Sequence, residues 1–230
     1  MRVPFSHLLM AKAQARKVLV IDVGGSNVKI IATGVGKRIK IPSGEQMTPN
    51  RMVSEVKEAA KDWDYDVISI GYPGAIKEGK IVLEPHNLGA GWVGFDFGKA
   101  FKKPVKLIND AAMQALGSYE GGQMLFLGLG TGLGAALVKD SVVFPLEVAH
   151  MPYRKGRTYE DYTGKDGHAR LGDRKWKKHV RKIIQILSDA FVADQIVLGG
   201  GNAELLDKLP PHISYGTNAN AFKGGFRMWE

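Results

Sequence analysis

The chain contains no cysteine. That excludes disulfides, a thiolate nucleophile and cysteine-ligated zinc, and it fits a reducing cytosol. Long hydrophobic runs are missing as well. No apolar stretch approaches the roughly 18–20 residues a membrane span requires, so a cytoplasmic protein without a membrane partner is expected. Acidic residues are in deficit, 23 Asp and Glu against 32 Lys and Arg, for a formal net charge of +9. A basic surface favours an anionic partner such as nucleotide, polyphosphate, nucleic acid or a membrane surface; it also serves plain solubility, and charge alone does not choose. No nucleic-acid motif accompanies the charge, so nucleic acid is not expected. Residues 1–16 fall short of a signal peptide, because Ser6 and His7 break the apolar stretch and no small-x-small cleavage site follows. They read as a disordered extension, with Met10 as an alternative start, before a patterned chain that begins at Lys17. The 230 residues, 44% of them hydrophobic, suffice for one large or two small domains with a sizeable core.

Glycine-rich turns between apolar strands dominate what is present. Val18-Leu-Val-Ile-Asp22-Val is an apolar run ending in a carboxylate, Gly24-Gly25-Ser26-Asn27 turns the chain, and Val28-Lys29-Ile-Ile-Ala resumes a β-branched strand. The pattern predicts a β-hairpin; P-loops and dinucleotide-binding turns open a helix instead. Paired glycines let backbone N–H groups approach a phosphate. Asp22 at the strand end is suited to Mg²⁺ held through water, since that ion keeps several of its waters. The same pattern returns 106 residues later as Leu125-Phe-Leu-Gly-Leu-Gly130-Thr131-Gly132-Leu-Gly, followed by Ala135-Ala-Leu-Val. Two similar hairpins half a chain apart predict two related lobes, each offering a phosphate-binding turn to a shared cleft.

Between the hairpins, Val105-Lys-Leu-Ile predicts a strand, and Asn109-Asp110 follow it at the start of a helix from Ala111 to Ser118. Aspartate there is often a cap. The helix dipole would keep it ionised, which also suits a base that accepts a hydroxyl proton. A base beside a phosphate cradle is what phosphoryl transfer to a hydroxyl needs.

The remaining stretches are read around that centre. Thr48-Pro49 starts a helix with its apolar stripe at Val53, Val56, Ala59 and Ala60. Val67-Ile-Ser-Ile is a short strand before the turn Gly71-Tyr-Pro73-Gly74. In the loop Glu84-Pro-His86-Asn87-Leu-Gly-Ala-Gly-Trp92, the aromatic residue either lines a sugar or plugs the loop. Glu147-Val-Ala149-His150 and Tyr159-Glu160-Asp161-Tyr162 gather carboxylates and imidazole suited to vicinal hydroxyls; they resemble metal ligands only weakly. Arg174 to Asp194 predicts an amphipathic helix with a basic outer face, either solvated or a track for a polyanion. Gln195-Ile-Val-Leu-Gly199-Gly200-Gly201-Asn202 predicts a strand and a turn that can lie against a flat ring such as adenine, followed by a helix from Ala203 to Lys208. The aromatic-rich tail is expected to dock.

In this order, the motifs Asp22-Val-Gly-Gly-Ser-Asn27, Gly71-Tyr-Pro-Gly74, Asn109-Asp110-Ala, Gly128-Leu-Gly-Thr-Gly-Leu-Gly134, Glu147-Val-Ala-His150, Thr158-Tyr-Glu160-Asp-Tyr and Gly199-Gly-Gly-Asn202 resemble the ROK sugar kinases of the actin/hexokinase/Hsp70 ATPase superfamily. Within them the likeness is strongest to the polyphosphate/ATP glucokinase branch. The resemblance implies an α/β fold of two ribonuclease-H-like lobes flanking a cleft, the actin-like ATPase architecture. Residues 17–107 would form the first lobe and 108–216 the second, with 217–230 packing back on the first.

It makes Asp110 the base for the 6-hydroxyl of glucose, and places Gly74, Asn87, Asn109, Glu147, His150 and Glu160 around the sugar. Asp22, Gly24, Gly25, Ser26, Asn27 and Lys29 then serve the first phosphate motif, Gly130, Thr131 and Gly132 the second, and Gly199, Gly200, Gly201 and Asn202 the adenosine motif. Mg²⁺ at Asp22, ATP or polyphosphate as donor and a homodimer follow from the same likeness. Ala149 stands where the family usually has glycine. Zinc is not expected, because Tyr153–Gly164 replace the cysteine-rich loop of many members. The alternatives are a kinase of the family for another hexose or an N-acetylated amino sugar, and a non-catalytic sugar or nucleotide sensor.

Overall fold

The computed structural model describes residues 16–217 and 219–230; the extension expected over residues 1–15 lies outside them. Strands β1 (Val18–Val23), β2 (Asn27–Ala32) and β3 (Ile39–Pro42) form an antiparallel meander. Helix α1 (Pro49–Ala59) follows, with the Thr48 hydroxyl accepting from the Arg51 N–H and proline at its first position. Strand β4 (Val67–Tyr72), the small hairpin β5 (Ile76–Lys77) and β6 (Lys80–Ile81), helix α2 (Phe97–Phe101) and strand β7 (Val105–Asn109) complete this half. The sheet order is β3-β2-β1-β4-β7, with β1, β4 and β7 parallel.

The second half repeats the plan. After helix α3 (Asp110–Ser118), strands β8 (Gln123–Leu129), β9 (Leu133–Lys139) and β10 (Val142–Leu146) form the meander. A small hairpin, β11 (Pro152–Arg154) and β12 (Arg157–Thr158), leads to the single turn α4 (Glu160–Thr163) and the long helix α5 (Lys165–Phe191). Strands β13 (Gln195–Gly199) and β14 (Ile213–Tyr215) then join parallel to β8, giving the order β10-β9-β8-β13-β14. The repeat read from the two glycine turns therefore extends to strand order and direction across both sheets. The tail forms helix α6 (Asn220–Arg227).

Side-chain alternation shows why six-residue strands such as β1 are buried throughout. Successive residues of a strand point to opposite faces, and both faces here are covered. Leu19, Ile21 and Val23 enter the core under α1 and α2, whereas Val18 and Val20 meet Met113 of α3 and Ala221 and Phe222 of α6. In β8, Leu125, Leu127 and Leu129 pack toward α5, while Met124 and Phe126 meet Ala111, Ala112 and Ala115 of α3. Helix α3 thus lies between the two sheets, and its alanines let both approach.

Two helices differ from the sequence-based expectations, and the structure decides between the two readings of the tryptophan loop. Helix α5 begins at Lys165, breaks at Gly172 (φ 70°, ψ 160°) and ends at Phe191, where Val192 turns left-handed; apolar spacing alone showed only the segment after the break. The helix expected from Ala203 to Lys208 is one 3-10 turn, Ala203–Leu205, because Lys208 turns left-handed (φ 49°) and Pro210 follows, which disfavours helical backbone just before it. Trp92 plugs its loop: it is fully buried against Tyr72 and Phe97. No helix among the described residues is long and apolar enough to cross a membrane.

Candidate active site

The parallel strands β1, β4 and β7 end side by side, with Asp22 opposite Gly71, Gly71 opposite Ile108 and Tyr72 opposite Asn109. Ligands of α/β sheets gather at such carboxyl ends. Asp22 shares its strand face with Val18 and Val20, so it points toward α3, and there Asp110 opens the helix.

Asn109, not Asp110, caps α3. Its side-chain oxygen accepts from the Ala112 N–H at 3.1 Å while its amide donates to the Gly74 carbonyl at 3.1 Å. Asp110 occupies the first helical position, and its Oδ1 accepts from the Ala111 N–H at 2.8 Å. The cap next door thus leaves a second carboxylate oxygen of Asp110 uncommitted among the described residues.

The charge state of that carboxyl differs from the sequence expectation. Burial raises its pKa from 3.8 to about 7, and the nearby Asp22 carboxylate pushes the same way. The helix N–H groups of Ala111 and Asp110 and the Lys29 ammonium pull it down without reversing the shift. The side chain touches the surface but has lost most of its bulk hydration. Loss of hydration and a like charge outweigh the helix terminus here. Lys29 lies across the strand pair from Asp22 and holds its Oδ2 at 2.9 Å.

The linkage runs against ionisation. A carboxyl whose pKa is raised in the folded state contributes stability below the unfolded value near 4, and that contribution is lost as the pH rises through about 7. Asp110→Asn is therefore expected to melt higher than wild type at pH 8, with the gap closing toward pH 4. Thermal melts across that range measure it, and about 2 °C or more at pH 8 is expected, since roughly 1 kcal/mol moves Tm by 2–4 °C at this size.

Around this pair stand two glycine turns. In the first, the Gly24 N–H donates to the Asn27 carbonyl at 3.0 Å, and Ser43 ties the turn to β3, its hydroxyl donating to the Gly24 carbonyl at 2.5 Å and its N–H to the Ser26 carbonyl at 3.0 Å. A side chain on Gly25 would meet the Asn87 Cβ at 3.2 Å, so Asn87 is delivered against this turn. Glu84 shapes the loop that carries it by accepting the N–H groups of Gly91, Trp92 and Val93 at 3.0–3.1 Å, which hold its carboxyl below its ordinary pKa.

The second turn is clasped from two sides. Asn202 donates from its backbone to the Leu129 carbonyl at 2.9 Å and from its amide to the Gly130 carbonyl at 3.2 Å. Gly200 there has φ +81° and lies against the Leu129 backbone, where any Cβ would clash. On the other side Glu160 Oε2 accepts the Leu133 N–H at 2.9 Å and the Lys165 N–H donates to the Thr131 carbonyl at 3.0 Å. Gly134 abuts Ala111, so the second turn and the start of α3 are in contact.

Of the residues expected from sequence, the structure brings Asp22, Lys29, Gly74, Asn109 and Asp110 together, with Asn87 against the first turn. It places Gly130–Gly132, Glu160 and Gly200–Asn202 at the second turn. Glu160 thus braces that turn with one oxygen, and the other has no partner among the described residues. Glu147 precedes and His150 ends the 3-10 turn Val148–His150; Val148 and Ala149 are buried, whereas Glu147 and His150 are exposed and carry no side-chain hydrogen bond among the described residues. Ser43, Glu84 and the Lys165 backbone were not anticipated; each acts through a contact distant in sequence, and no local pattern announces it.

Among the described residues no three acidic or histidine side chains converge as a metal cage. Asp22 offers a buried carboxylate with Oδ1 uncommitted. That donor set suits an ion that retains its waters and draws most ligands from a phosphorylated substrate.

A family model described as the ROK family matches residues 18–144. The polyphosphate glucokinase of Mycobacterium leprae (strain TN) is 24% identical over 221 residues, covering 83% of this chain and 65% of that enzyme, so the chain spans just under two thirds of that relative's length. The polyphosphate glucokinase of Mycobacterium tuberculosis (strain CDC 1551 / Oshkosh) is 25% identical, covering 83% of this chain and 80% of its own. Among solved structures, the inorganic polyphosphate/ATP-glucomannokinase of Arthrobacter sp. strain KM superimposes with a TM-score of 0.76 at 21% identity, over 92% of this chain and 97% of that one. The shared fold is the two-sheet α/β architecture of the actin-like ATPases.

Proposed function

The chain belongs to the ROK family, and on that premise we propose that it is a sugar kinase that transfers a phosphoryl group from ATP or inorganic polyphosphate to the 6-hydroxyl of glucose. The observation that carries this reading is the place of Asp110: an under-coordinated carboxyl at the start of α3, between two backbone turns built for phosphate. In the reaction Asp110 takes the hydroxyl proton as the sugar oxygen bonds to the terminal phosphorus. The bond to the bridging oxygen breaks, and ADP or a shortened polyphosphate leaves. A carboxyl with a pKa near the working pH suits that transfer.

Asn109 both caps α3 and fixes the Gly74 carbonyl, so it sets the base against the sugar-side loop. Asn87, Glu147 and His150 are assigned to the other sugar hydroxyls, and Glu160 joins them through its uncommitted oxygen while bracing the second turn. The Gly24–Asn27 and Gly130–Gly132 turns receive the phosphates, and Gly199–Asn202 the adenosine. Asp22 would hold Mg²⁺, which would neutralise charge on the transferring phosphoryl group. Residues 17–107 and 108–216 would form the two lobes, joined where β7 runs into α3, with α6 returning to the first sheet.

The test is formation of glucose 6-phosphate from glucose, with ATP and polyphosphate offered separately. The names of the relatives support a hexose acceptor but leave mannose as a competitor; comparison of kcat/KM for the two sugars separates them. Exposed Arg154, Lys155 and Arg157 on the β11–β12 hairpin and Lys165 beside the second turn supply charge for a long polyanion. By analogy with counterion release from nucleic acid, raising salt from about 50 to 200 mM is expected to cut polyphosphate-dependent kcat/KM by roughly tenfold or more. The ATP-dependent value should change less than about twofold. Equal salt responses would count against a polyphosphate track.

A further inference from the structure

At the opposite end of the second sheet from the phosphate turns lies a cavity of about 190 Å³, between α5 and the first residues of β13 and β14. Ile184, Ile196, Leu209 and Ile213 make its apolar floor, and Arg181, Lys208 and His212 stand at its rim. No acidic residue lines it. Arg181 donates from Nη2 to the Asp207 carbonyl at 3.0 Å and carboxylate at 2.6 Å. A guanidinium has five N–H donors; the two on Nη2 face Asp207, and those on Nε and Nη1 remain as single donors among the described residues. The combination is an apolar slot closed by cations, distinct from the cleft where the base and the turns meet.

We propose that this cavity is a second ligand site, for a compact apolar molecule carrying a single carboxylate. The apolar body displaces water from the isoleucine floor, and the carboxylate meets a remaining Arg181 N–H with Lys208 beside it. A charge-assisted hydrogen bond from a remaining Arg181 N–H, with the Lys208 ammonium beside it, favours a carboxylate over an uncharged polar group. The cavity volume admits a single ring or a short branched chain and excludes a nucleotide. The rim segment Lys208–His212 continues from the Gly199–Asn202 turn, so occupancy bears on the same stretch of backbone that clasps the second phosphate turn.

The probe is benzoate, with benzyl alcohol as its uncharged counterpart, titrated into the full chain by calorimetry. Wild type is expected to bind benzoate at least about tenfold more tightly than benzyl alcohol, the discrimination expected of one charge-assisted hydrogen bond. Ser188→Leu, which fills the cavity from α5, should abolish binding of both. Lys208→Gln, an exposed change, should weaken benzoate severalfold and leave benzyl alcohol unaltered. Circular dichroism melts of both variants report that they fold. Undetectable benzoate binding to wild type, equal affinity for the two probes, or undiminished binding to folded Ser188→Leu would each overturn the proposal. If Ser188→Leu does not fold, Lys208→Gln decides alone: unchanged benzoate affinity contradicts the site.

Discussion

Asp110→Asn is expected to lower kcat by about 10²–10⁴-fold, the usual contribution of a general base, with donor and sugar KM changed little. The asparagine oxygen can still accept the Ala111 N–H, so the start of α3 should survive; what disappears is a group that can take a proton. An effect confined to kcat marks an interaction made in the transition state. Wild-type kcat/KM should also rise with pH through about 7, as the carboxyl held up by burial and by Asp22 ionises. The same ionisation costs folding stability, so the variant should be the more stable and the less active protein at pH 8. A variant that loses both would indicate a structural role for the side chain instead.

The second large effect is expected far from the chemistry, where α3 crosses α6. A Cβ on Gly224 would fall on the Met113 carbonyl, and one on Gly117 would fall on the Asn220 carbonyl. Each lies well inside van der Waals contact, and backbone, unlike a flexible side chain, cannot swing aside. The crossing is further tied by the Arg227 guanidinium, which donates to the Leu116 and Tyr119 carbonyls at 2.7 and 2.8 Å, and by Asn220, whose amide donates to Ser118 Oγ at 2.8 Å. Ser69 in β4 donates to the Gly225 carbonyl at 2.6 Å and accepts from the Trp229 indole at 2.9 Å. The tail thereby fixes the helix that carries Asp110 against the first sheet.

Gly224→Ala must separate the helices, a strain of about 1–3 kcal/mol, or a Tm drop of roughly 2–12 °C at 2–4 °C per kcal/mol. Because Met113 lies in the first turn of α3, kcat should fall with it. Lys223→Ala, at the exposed neighbouring position, should stay within about 0.5 kcal/mol of wild type. Equal melting of the two variants would show that the crossing is looser than the backbone contacts require.

How far these features were legible depends on whether their causes are local. The two hairpins were, because alternating apolar strands and glycine turns are written over about ten residues each, and their recurrence foretold the shared strand order. The Asn109-Asp110 pair was also visible, as two polar residues between a β-branched strand and an alanine-rich helix. Which of them caps the helix was not: Asn109 has the extended backbone of a cap, and its amide is also held by the Gly74 carbonyl just past the end of β4, a contact 35 residues away in sequence. The direction of the Asp110 pKa was equally out of reach, since it depends on Asp22 in another strand and on burial by a second sheet. Glu160 illustrates the same limit. Sequence placed it among sugar-binding carboxylates, whereas its anchoring contact is the Leu133 N–H at the second turn. The break at Gly172 escaped because helical spacing resumes after it and the apolar stripe begins only at Trp176.

Phosphorus-31 NMR of glucose with Mg²⁺ and either ATP or polyphosphate, wild type beside Asp110→Asn, tests the proposed role of Asp110 most directly. A growing sugar 6-phosphate resonance with wild type and at least one donor, reduced about a hundredfold or more in rate by the substitution, is the expected result. Equal rates for the two proteins, or no sugar phosphate from glucose or mannose with either donor, would contradict it.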